Sequence, residues 1–208
     1  KVTWTAVREY NEMDVEANTL LGTIFQRLGD LVSSDQAVER ALKNREIAAP
    51  ARGEIRALMG RNAKNQWEQT WGNLSDEATA QKAALASPYL EKSFELFRVG
   101  FIEDRNHFYS GLNALAMVTM MVELAQRQAS IWQDNFDSEE DANQRLQKLK
   151  ELRNFDKDDI LEMMGLQTKT STGAFLAGTL GLAGGGVSAQ APQAPVSPNP
   201  TERDWSGQ

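Results

Sequence analysis

The stretch VEANTLLGTIFQRLGDLVSSDQAVERAL, residues 15–42, carries the pattern that decides the fold class. In its first half the apolar residues recur mostly at spacings of three and four, as on one face of an α-helix, and Gly29 ends the run. Ser33 and Gln36 have the spacing of a capping box, which predicts that a second helix starts there and continues towards Pro50. The stretch therefore predicts two successive helices with a turn between them.

Helical periodicity continues to about residue 170, whereas the period-two alternation typical of strands is nearly absent. Pro50 suits the first turn of a third helix, which Gly72 ends. Ser75 is expected to cap a fourth helix, and Pro88 is expected to interrupt it. Beyond that proline, one apolar stripe follows a helix face at Leu90, Phe94, Phe97 and Phe101.

Further segments complete the helical part. Residues 104–111 are expected to form a polar loop, followed by the most apolar helix of the chain at residues 112–132. Ser138 and Asp141 have the spacing of a cap for another helix, and Asp156 is placed to cap a last short turn. We predict about six to eight helices, joined by short loops and packed as antiparallel neighbours.

The charge balance and the rare residue types exclude several function classes. The chain has 208 residues, with 22 Lys and Arg against 29 Asp and Glu, and a formal charge of −7. Such a chain lacks the basic surface that binds nucleic acid or anionic lipid, so we expect neither nucleic acid nor membrane as a partner. It has no Cys and one His, His107, which excludes disulfides, Cys nucleophiles and a multi-His metal centre built from this chain alone. We expect no cofactor, and a cytoplasmic location.

The composition changes near the end of the chain. Residues 172–208 hold 7 of the 15 Gly and 4 of the 6 Pro, but only three charged residues. This predicts a helical domain over residues 1–170 and a Gly/Ala/Pro-rich linker or disordered tail over residues 171–208. An apolar stretch at residues 174–187 is too short, and too often interrupted by Gly, to span a bilayer. Because the chain begins at Lys1 rather than Met, we expect it to be a piece of a longer protein.

The helical part also shows a weak internal repeat. The tetratricopeptide unit is a helix pair of 34 residues with a W-x-x-L-G-x-x-Y pattern on its first helix. Matching positions on a first helix are Asn18, Leu21, Gly22 and Phe25, with Ala37 and Ala41 on the partner helix. A second set begins at Leu58, where Gly60 takes the glycine position. We therefore predict an all-α fold of stacked antiparallel helical hairpins, a tetratricopeptide-like solenoid.

A longer motif points to one family. Residues 96–114, LFRVGFIEDRNHFYSGLNA, resemble the W-Y-x-K-G-F-E-x-D-P-x-D-Y-Y-P-G-I-N-A segment of the TRAFs-binding domain. That domain occurs in the regulatory region of apoptosis-signal-regulating MAP kinase kinase kinases and in bacterial repeat proteins. Residues 58–65 are similar to the family's L-x-G-R-I-Y-K-D element. The matching positions of the longer segment are Gly100, Phe101, Asp104, Tyr109, Gly111, Asn113 and Ala114.

The resemblance implies a non-catalytic scaffold that binds a protein or peptide partner, or neighbouring domains of a longer signalling or defence protein. It covers roughly residues 15–135, and it departs from the family where Arg105 and Ser110 replace prolines and His107 replaces an acid. Gly111 and Asn113 are expected to clamp the loop before the apolar helix. The candidate interaction or loop-clamp residues are Arg61, Lys64, Arg105, His107, Phe108, Tyr109, Gly111 and Asn113.

Two other functions stay open at this point. One is a helical hydrolase or lyase that uses Glu103, Asp104 and His107, which requires these groups to converge in one pocket. The other is a small-molecule sensor with an apolar cavity in its Met- and Phe-rich interior. Trp67 and Trp71, four residues apart, are expected on one helix face, either in the core or as exposed anchors.

Overall fold

Helices account for all the regular structure in residues 2–163, the part of the chain that the structure, a computed structural model, describes. No strand occurs in these residues, so the all-α prediction is confirmed. The helices are α1 (Val2–Tyr10), α2 (Val15–Arg27), α3 (Leu31–Leu42), α4 (Ala49–Trp71), α5 (Glu77–Ala86), α6 (Pro88–Glu103), α7 (Phe108–Arg127), α8 (Ala129–Gln133) and α9 (Glu139–Met163). This count of nine within the described residues exceeds the predicted six to eight, because α1 was not predicted and α8 was predicted as the end of the helix before it.

The turn between α2 and α3 is shorter than the sequence indicated. Gly29 has a φ of +78°, and the amide of Asp30 donates to the Phe25 carbonyl, which satisfies the end of α2. The Asp30 carboxylate then accepts from the backbone N–H of Ser33 at 3.0 Å and caps α3. The predicted capping box at Ser33 is therefore wrong, because Asp30 follows the glycine turn directly and α3 begins at Leu31.

A glycine and a serine bring α2 and α3 into close contact. The Ser34 hydroxyl donates to the carbonyl of Gly22 at 2.8 Å, and both residues are buried. A Cβ at Gly22 would lie 2.6 Å from Val38 Cγ1, so the helices can approach this closely only with glycine at this position. Ser34 and Val38 occupy the small and large positions of the A-x-x-x-F pattern of a tetratricopeptide second helix.

The same contact recurs between α4 and α6. The Ser93 hydroxyl donates to the carbonyl of Gly60 at 3.0 Å, and a Cβ at Gly60 would lie 2.9 Å from the ring of Phe97. Ser93 and Phe97 have the spacing of Ser34 and Val38. The second hairpin therefore consists of α4 and α6. In both hairpins a serine hydroxyl donates to a glycine carbonyl, and an apolar side chain four residues after the serine packs against that glycine.

Helix α5 is an insertion within this second hairpin. It contacts α4, α7 and α8, while α4 packs chiefly along α6. The break at Pro88 is confirmed, since α5 ends at Ala86 and α6 begins at Pro88. Asp76, not Ser75, caps α5, because its carboxylate accepts from both the backbone N–H and the hydroxyl of Thr79. The apolar stripe of α6 is buried as predicted, at Leu90, Phe94, Phe97 and Phe101.

Helix α7 differs from its predicted bounds at both ends. It starts at Phe108, so the loop before it is only residues 104–107, and it stops at Arg127 before the separate α8. Among the described residues, α7 alone is long and apolar enough to count as a possible membrane span, but half of that window is buried in the fold. Its packing against α6 and α9 accounts for its apolar composition, with Met117 and Met121 in the core.

Helix α9 closes the described part of the chain. The Ser138 hydroxyl accepts from the N–H of Asp141 at 3.1 Å, as the sequence predicted. The helix then runs without a break to Met163, so the separate turn predicted after Asp156 is wrong. Gly165 and the predicted tail at residues 171–208 lie outside the described residues, and the proposed domain boundary stays a prediction.

Candidate functional site

Residues 96–114, the segment that resembles the TRAFs-binding domain, form a corner between α6 and α7. The Asp104 carboxylate accepts from the backbone N–H of Asn106 at 3.0 Å and so shapes the turn. The Arg105 guanidinium pairs with Asp159 of α9 and lies over the ring of Phe101, 5.1 Å from its centre. Arg105 therefore joins the turn to α9, and its role here is to hold the corner in place.

His107 also holds the corner. Its Nε2 lies 2.9 Å from Glu54 Oε2 on α4, and its Nδ1 lies 2.8 Å from the hydroxyl of Ser110. The imidazole is largely buried, with 17% of its side chain exposed, whereas Glu54 is exposed. Both ring nitrogens are therefore engaged, and His107 links the start of α7 to α4.

Arg61 and Tyr109 form a second link between α4 and α7. Arg61 Nε donates to the Tyr109 hydroxyl at 3.1 Å, and the guanidinium carbon lies 5.1 Å from the centre of the tyrosine ring. On its other side Arg61 Nη1 donates to Gln26 Oε1 of α2 at 3.3 Å. The Arg61 guanidinium thus joins α2, α4 and α7. Both of these acceptors, the Tyr109 hydroxyl and the Gln26 amide oxygen, are neutral groups.

A buried polar network that the sequence reasoning missed lies beneath Arg61. Asn62 is fully buried, and its amide donates to Ser34 Oγ and to Asp35 Oδ1, each at 2.7 Å. The Asn62 side-chain oxygen accepts from Gln26 Nε2 at 2.9 Å. This network fixes Gln26, which in turn orients Arg61. The sequence signal that could have indicated this network is an asparagine within an otherwise apolar helical stretch, since a buried amide needs partners.

Two predicted loop-clamp residues lie inside α7 instead. The Asn113 amide donates to the carbonyl of Tyr109 at 2.8 Å, which is a bond within the helix. Gly111 packs on Phe101, where a Cβ would lie 3.0 Å from two ring atoms. Because α7 begins four residues before the predicted start, both residues lie in its first turns, and the backbone carbonyl that Asn113 binds belongs to the helix and not to a loop.

The remaining candidates are accessible. Phe108 and Tyr109 are 38% and 43% exposed, which is high for large aromatic side chains. Lys64 is half-buried one turn after Arg61, and it forms no ion pair with any residue in the described range, Glu68 included. We name the surface formed by Gln26, Arg61, Lys64, Phe108 and Tyr109 the α4–α7 face.

Each of the three groups of the enzyme hypothesis already has a partner within the described part of the chain. Glu103 lies 3.4 Å from Arg52, Asp104 is bound to the turn, and His107 is bound to Glu54. Within residues 2–163 no group of three or more His, Cys, Asp or Glu residues is arranged to hold a metal ion. These contacts give Glu103, Asp104 and His107 structural roles at the corner between α6 and α7.

Two clefts flank the inserted helix α5. One, of about 230 Å³, lies between α4, α5 and α7 and is lined by Trp67, Trp71, Met120 and Leu124 among others. Trp67 belongs to the core and donates its indole N–H to the carbonyl of Ala84 at 2.9 Å. Trp71, only partly buried, packs edge-on against Trp67 with ring centres 5.2 Å apart. The other cleft lies at the opposite end of α5, where α6 begins.

The stacked hairpins with their repeated glycine–serine contacts define a tetratricopeptide-type repeat protein. Comparison with protein families agrees, since the model of TPR-S, the Tetratricopeptide Repeats-Sensor family, matches residues 2–121. The match spans more than half of the chain, and the chain belongs to this family. Comparisons with curated proteins and with solved structures gave no match. Family membership indicates a protein-interaction or sensing module, of a repeat type that is generally non-catalytic.

Proposed function

We propose that the chain is a non-catalytic interaction module that binds a protein or peptide partner through the α4–α7 face. The observation that carries this proposal is Arg61, an oriented cation beside an exposed tyrosine. Membership of a repeat family built for interaction or sensing supports the same role.

The electrostatics of Arg61 favour an acidic group on the partner. Its hydrogen-bond acceptors are the Tyr109 hydroxyl and the Gln26 amide oxygen, and no carboxylate within residues 2–163 pairs with it. The buried network behind Gln26 holds the guanidinium in one orientation, so little side-chain entropy remains to be lost on binding. A carboxylate of the partner would complete the pairing.

Exposed aromatic side chains supply the apolar part of the face. Phe108 and Tyr109 lie next to each other at the start of α7, and each keeps more than a third of its surface accessible. Tyrosine and arginine are among the residue types enriched at interface positions that contribute most to binding energy. We therefore expect the partner segment to place an apolar side chain next to its acidic one.

The wider setting of the module is also a proposal. The resemblance of residues 96–114 to the TRAFs-binding domain supports a place within a larger signalling or defence protein, beside other domains of that chain. The corner formed by Asp104, Arg105 and His107 contributes here by fixing α7 against α4 and α9. The cytoplasmic location expected from the sequence stays a prediction.

Peptide selection tests the proposal directly. We would select phage-displayed peptides on the full chain and measure the affinity of enriched peptides for Arg61→Gln and Tyr109→Ala variants. We expect enriched sequences to pair an acidic with an apolar residue, and each variant to weaken binding by about tenfold or more, as for central interface residues.

Arg127→Gln is the matched control, because Arg127 is an exposed arginine in the last turn of α7, away from its first turn. It should bind the selected peptides like the wild type, and all variants should keep their helical content by circular dichroism. If no peptide is enriched, or if the enriched peptides bind Arg61→Gln and Arg127→Gln equally well, the α4–α7 face is not the binding surface.

A further inference from the structure

Helices α4 and α7 run side by side in the same direction, because the contacts between them advance along both helices together. Near their starts, His107 bonds Glu54. Towards their other ends, Met120 of α7 and Trp71 of α4 line one apolar cleft. The α4–α7 face and this cleft are therefore two places along one pair of parallel helices.

A furrow between the two helices connects these places. On each helix, side chains spaced by three and four residues share one face, and none of them is buried. They are Arg61, Lys64, Glu68 and Trp71 on α4, and Tyr109, Asn113, Ala116 and Met120 on α7. The furrow therefore leads from the α4–α7 face to the cleft with its surface open to solvent.

The cleft at the far end of the furrow presents carbon atoms to an occupant. The Trp67 indole N–H already donates to a backbone carbonyl, and the indole nitrogen of Trp71 is buried away from the surface. At the edge, Gln81 uses both ends of its amide, since it donates to Glu77 and accepts from Gln128. An apolar group suits such a wall, because no polar group of these residues is left to bind.

The size of the cleft favours a side chain over a separate small molecule. Its volume is about 230 Å³, and it is bounded by α4, the inserted helix α5 and α7. Small-molecule sites in proteins usually measure about 300–1,000 Å³. One large apolar side chain of a protein partner needs less space, and the rest of that partner could lie in the furrow.

The charges along the furrow differ between its two ends. Arg61 and Lys64 pair with no carboxylate among the described side chains, whereas Glu68 and Glu77 lie towards the cleft. An acidic group of a partner is attracted to the first end and repelled from the second. The order of the partner's side chains follows, with the acidic one at Arg61 and a large apolar one in the cleft.

We propose that the partner is an extended peptide segment whose acidic residue pairs with Arg61 and whose large apolar side chain, about five residues away, fills the cleft. This inference rests on the proposed function and adds the spacing that the partner needs. Arg61 and Trp71 are ten residues apart on α4, which corresponds to about 15 Å along the helix axis. An extended chain covers this distance in about five residues, at about 3.3 Å for each.

The width of the furrow favours an extended segment over a helical one. Side chains of the two helices meet across it, since Arg61 Nε lies 3.1 Å from the Tyr109 hydroxyl. A helix with its side chains is about 10 Å across, so it would rest above the furrow without reaching the cleft. An extended chain is narrower, and alternate side chains of it point down into the furrow.

Peptides with one acidic and one apolar residue test the spacing. We would titrate the full chain with fourteen-residue Ser/Gly peptides that carry one Glu and one Trp, one to ten positions apart and in either order, and follow binding by NMR. We expect the tightest binding at a separation of about five, by about tenfold over separations of two and ten, because only a matched linker lets both groups bind at once.

The substitution Ala80→Phe tests the location. Ala80 is half-buried on α5 and lines the cleft, so a phenylalanine there would fill the space. Replacing the peptide's Trp by Ala should weaken binding to the wild type by about tenfold or more, and should change binding to Ala80→Phe little. Ala78→Phe, at an exposed position of α5 that does not line the cleft, should behave like the wild type.

The Arg61→Gln variant separates this inference from the proposed function. If it weakens the best peptide while neither spacing nor Ala80→Phe has an effect, the α4–α7 face stands and the cleft proposal fails. If Arg61→Gln has no effect, or if no peptide binds saturably, both fail. A best separation near ten would indicate a helical partner, and self-association of the chain that Ala80→Phe abolishes would place a second copy in the cleft. Either result would overturn the proposal.

Discussion

At the scale of single residues, a few small side chains determine how closely the helices approach. Gly22 and Gly60 each receive a serine hydroxyl on their carbonyl oxygen and an apolar side chain where a Cβ would be. The glycine positions were visible in the sequence, since both fall in the repeat pattern. Their partners Ser34 and Ser93 were not, because serine has no strong preference for buried helix positions.

The substitution Gly60→Ala tests the importance of this contact. The added Cβ would lie 2.9 Å from Phe97, so we expect the free energy of unfolding to fall. Overpacking costs about 1–3 kcal/mol, and the higher helix propensity of alanine returns about 1 kcal/mol, which leaves a net loss of up to about 2 kcal/mol. Urea unfolding followed by circular dichroism measures the change.

A double-mutant cycle provides the control for this prediction. In a Phe97→Leu background the smaller side chain leaves room, so Gly60→Ala should cost less there than in the wild type. If the alanine substitution stabilises the chain in both backgrounds, the close contact between α4 and α6 has no energetic importance.

At the scale of elements, helix existence was predictable and helix ends were less so. Proline and glycine affect helix formation through their own backbone conformation, and the structure has helix ends at Pro50, Gly72 and Pro88. The caps of α3 and α5 were each assigned to a nearby serine, whereas Asp30 and Asp76 make the bonds. Several side chains in a polar turn can cap, and only the path of the chain decides which one does.

The cap of α5 predicts a pH dependence. Hydrogen bonds from the Thr79 hydroxyl and from its backbone N–H lower the pKa of Asp76 below its ordinary value of 3.8. The pKa of Asp76 is lower in the folded chain than in the unfolded chain. The ionised cap therefore stabilises α5 in full at pH values above the unfolded-state pKa, and this contribution is lost as the pH falls through the folded-state pKa. Carboxyl carbon NMR shifts of Asp76 and the exchange protection of the Thr79 amide should report both changes.

Asp76→Asn serves as the comparison for this titration. Its side-chain oxygen still accepts from the amide of Thr79, but it does not ionise. The protection of Thr79 in this variant should therefore stay constant over the acidic range where it falls in the wild type. Equal losses in the two proteins would show that acid acts elsewhere than at this cap.

At the scale of the whole described part of the chain, helices that follow one another in the sequence are not always the ones that pack together. Helix α5 intervenes between the two helices of the second hairpin, and the clefts on either side of it follow from this insertion. Helix α7 has the composition of a membrane span but is packed against α6 and α9. Its stability in water therefore depends on those neighbours.

Undocking α9 should expose the apolar surface of α7. Leu149 of α9 is fully buried, and Leu149→Asp would place an unpaired carboxylate there, at a cost that breaks the packing. We expect increased binding of a hydrophobic dye and co-sedimentation with lipid vesicles. Gln147→Asp, at an exposed position of α9, should change neither readout. A Leu149→Asp chain that binds dye and vesicles like the wild type would show that α9 does not protect α7.

The sequence alone determined that the chain is helical and repetitive. Apolar periodicity, prolines and glycines influence the backbone conformation of neighbouring residues, and such local effects can be predicted without the tertiary structure. It also indicated Arg61, His107 and Tyr109 as notable residues through their spacing in two motifs. The contacts of Arg61 with Gln26 and Tyr109 span 35 and 48 residues, so only the stacking of α2, α4 and α7 could decide them. The cleft beside Trp71 likewise exists only where α4, α5 and α7 meet, since its wall combines residues that are far apart in the chain.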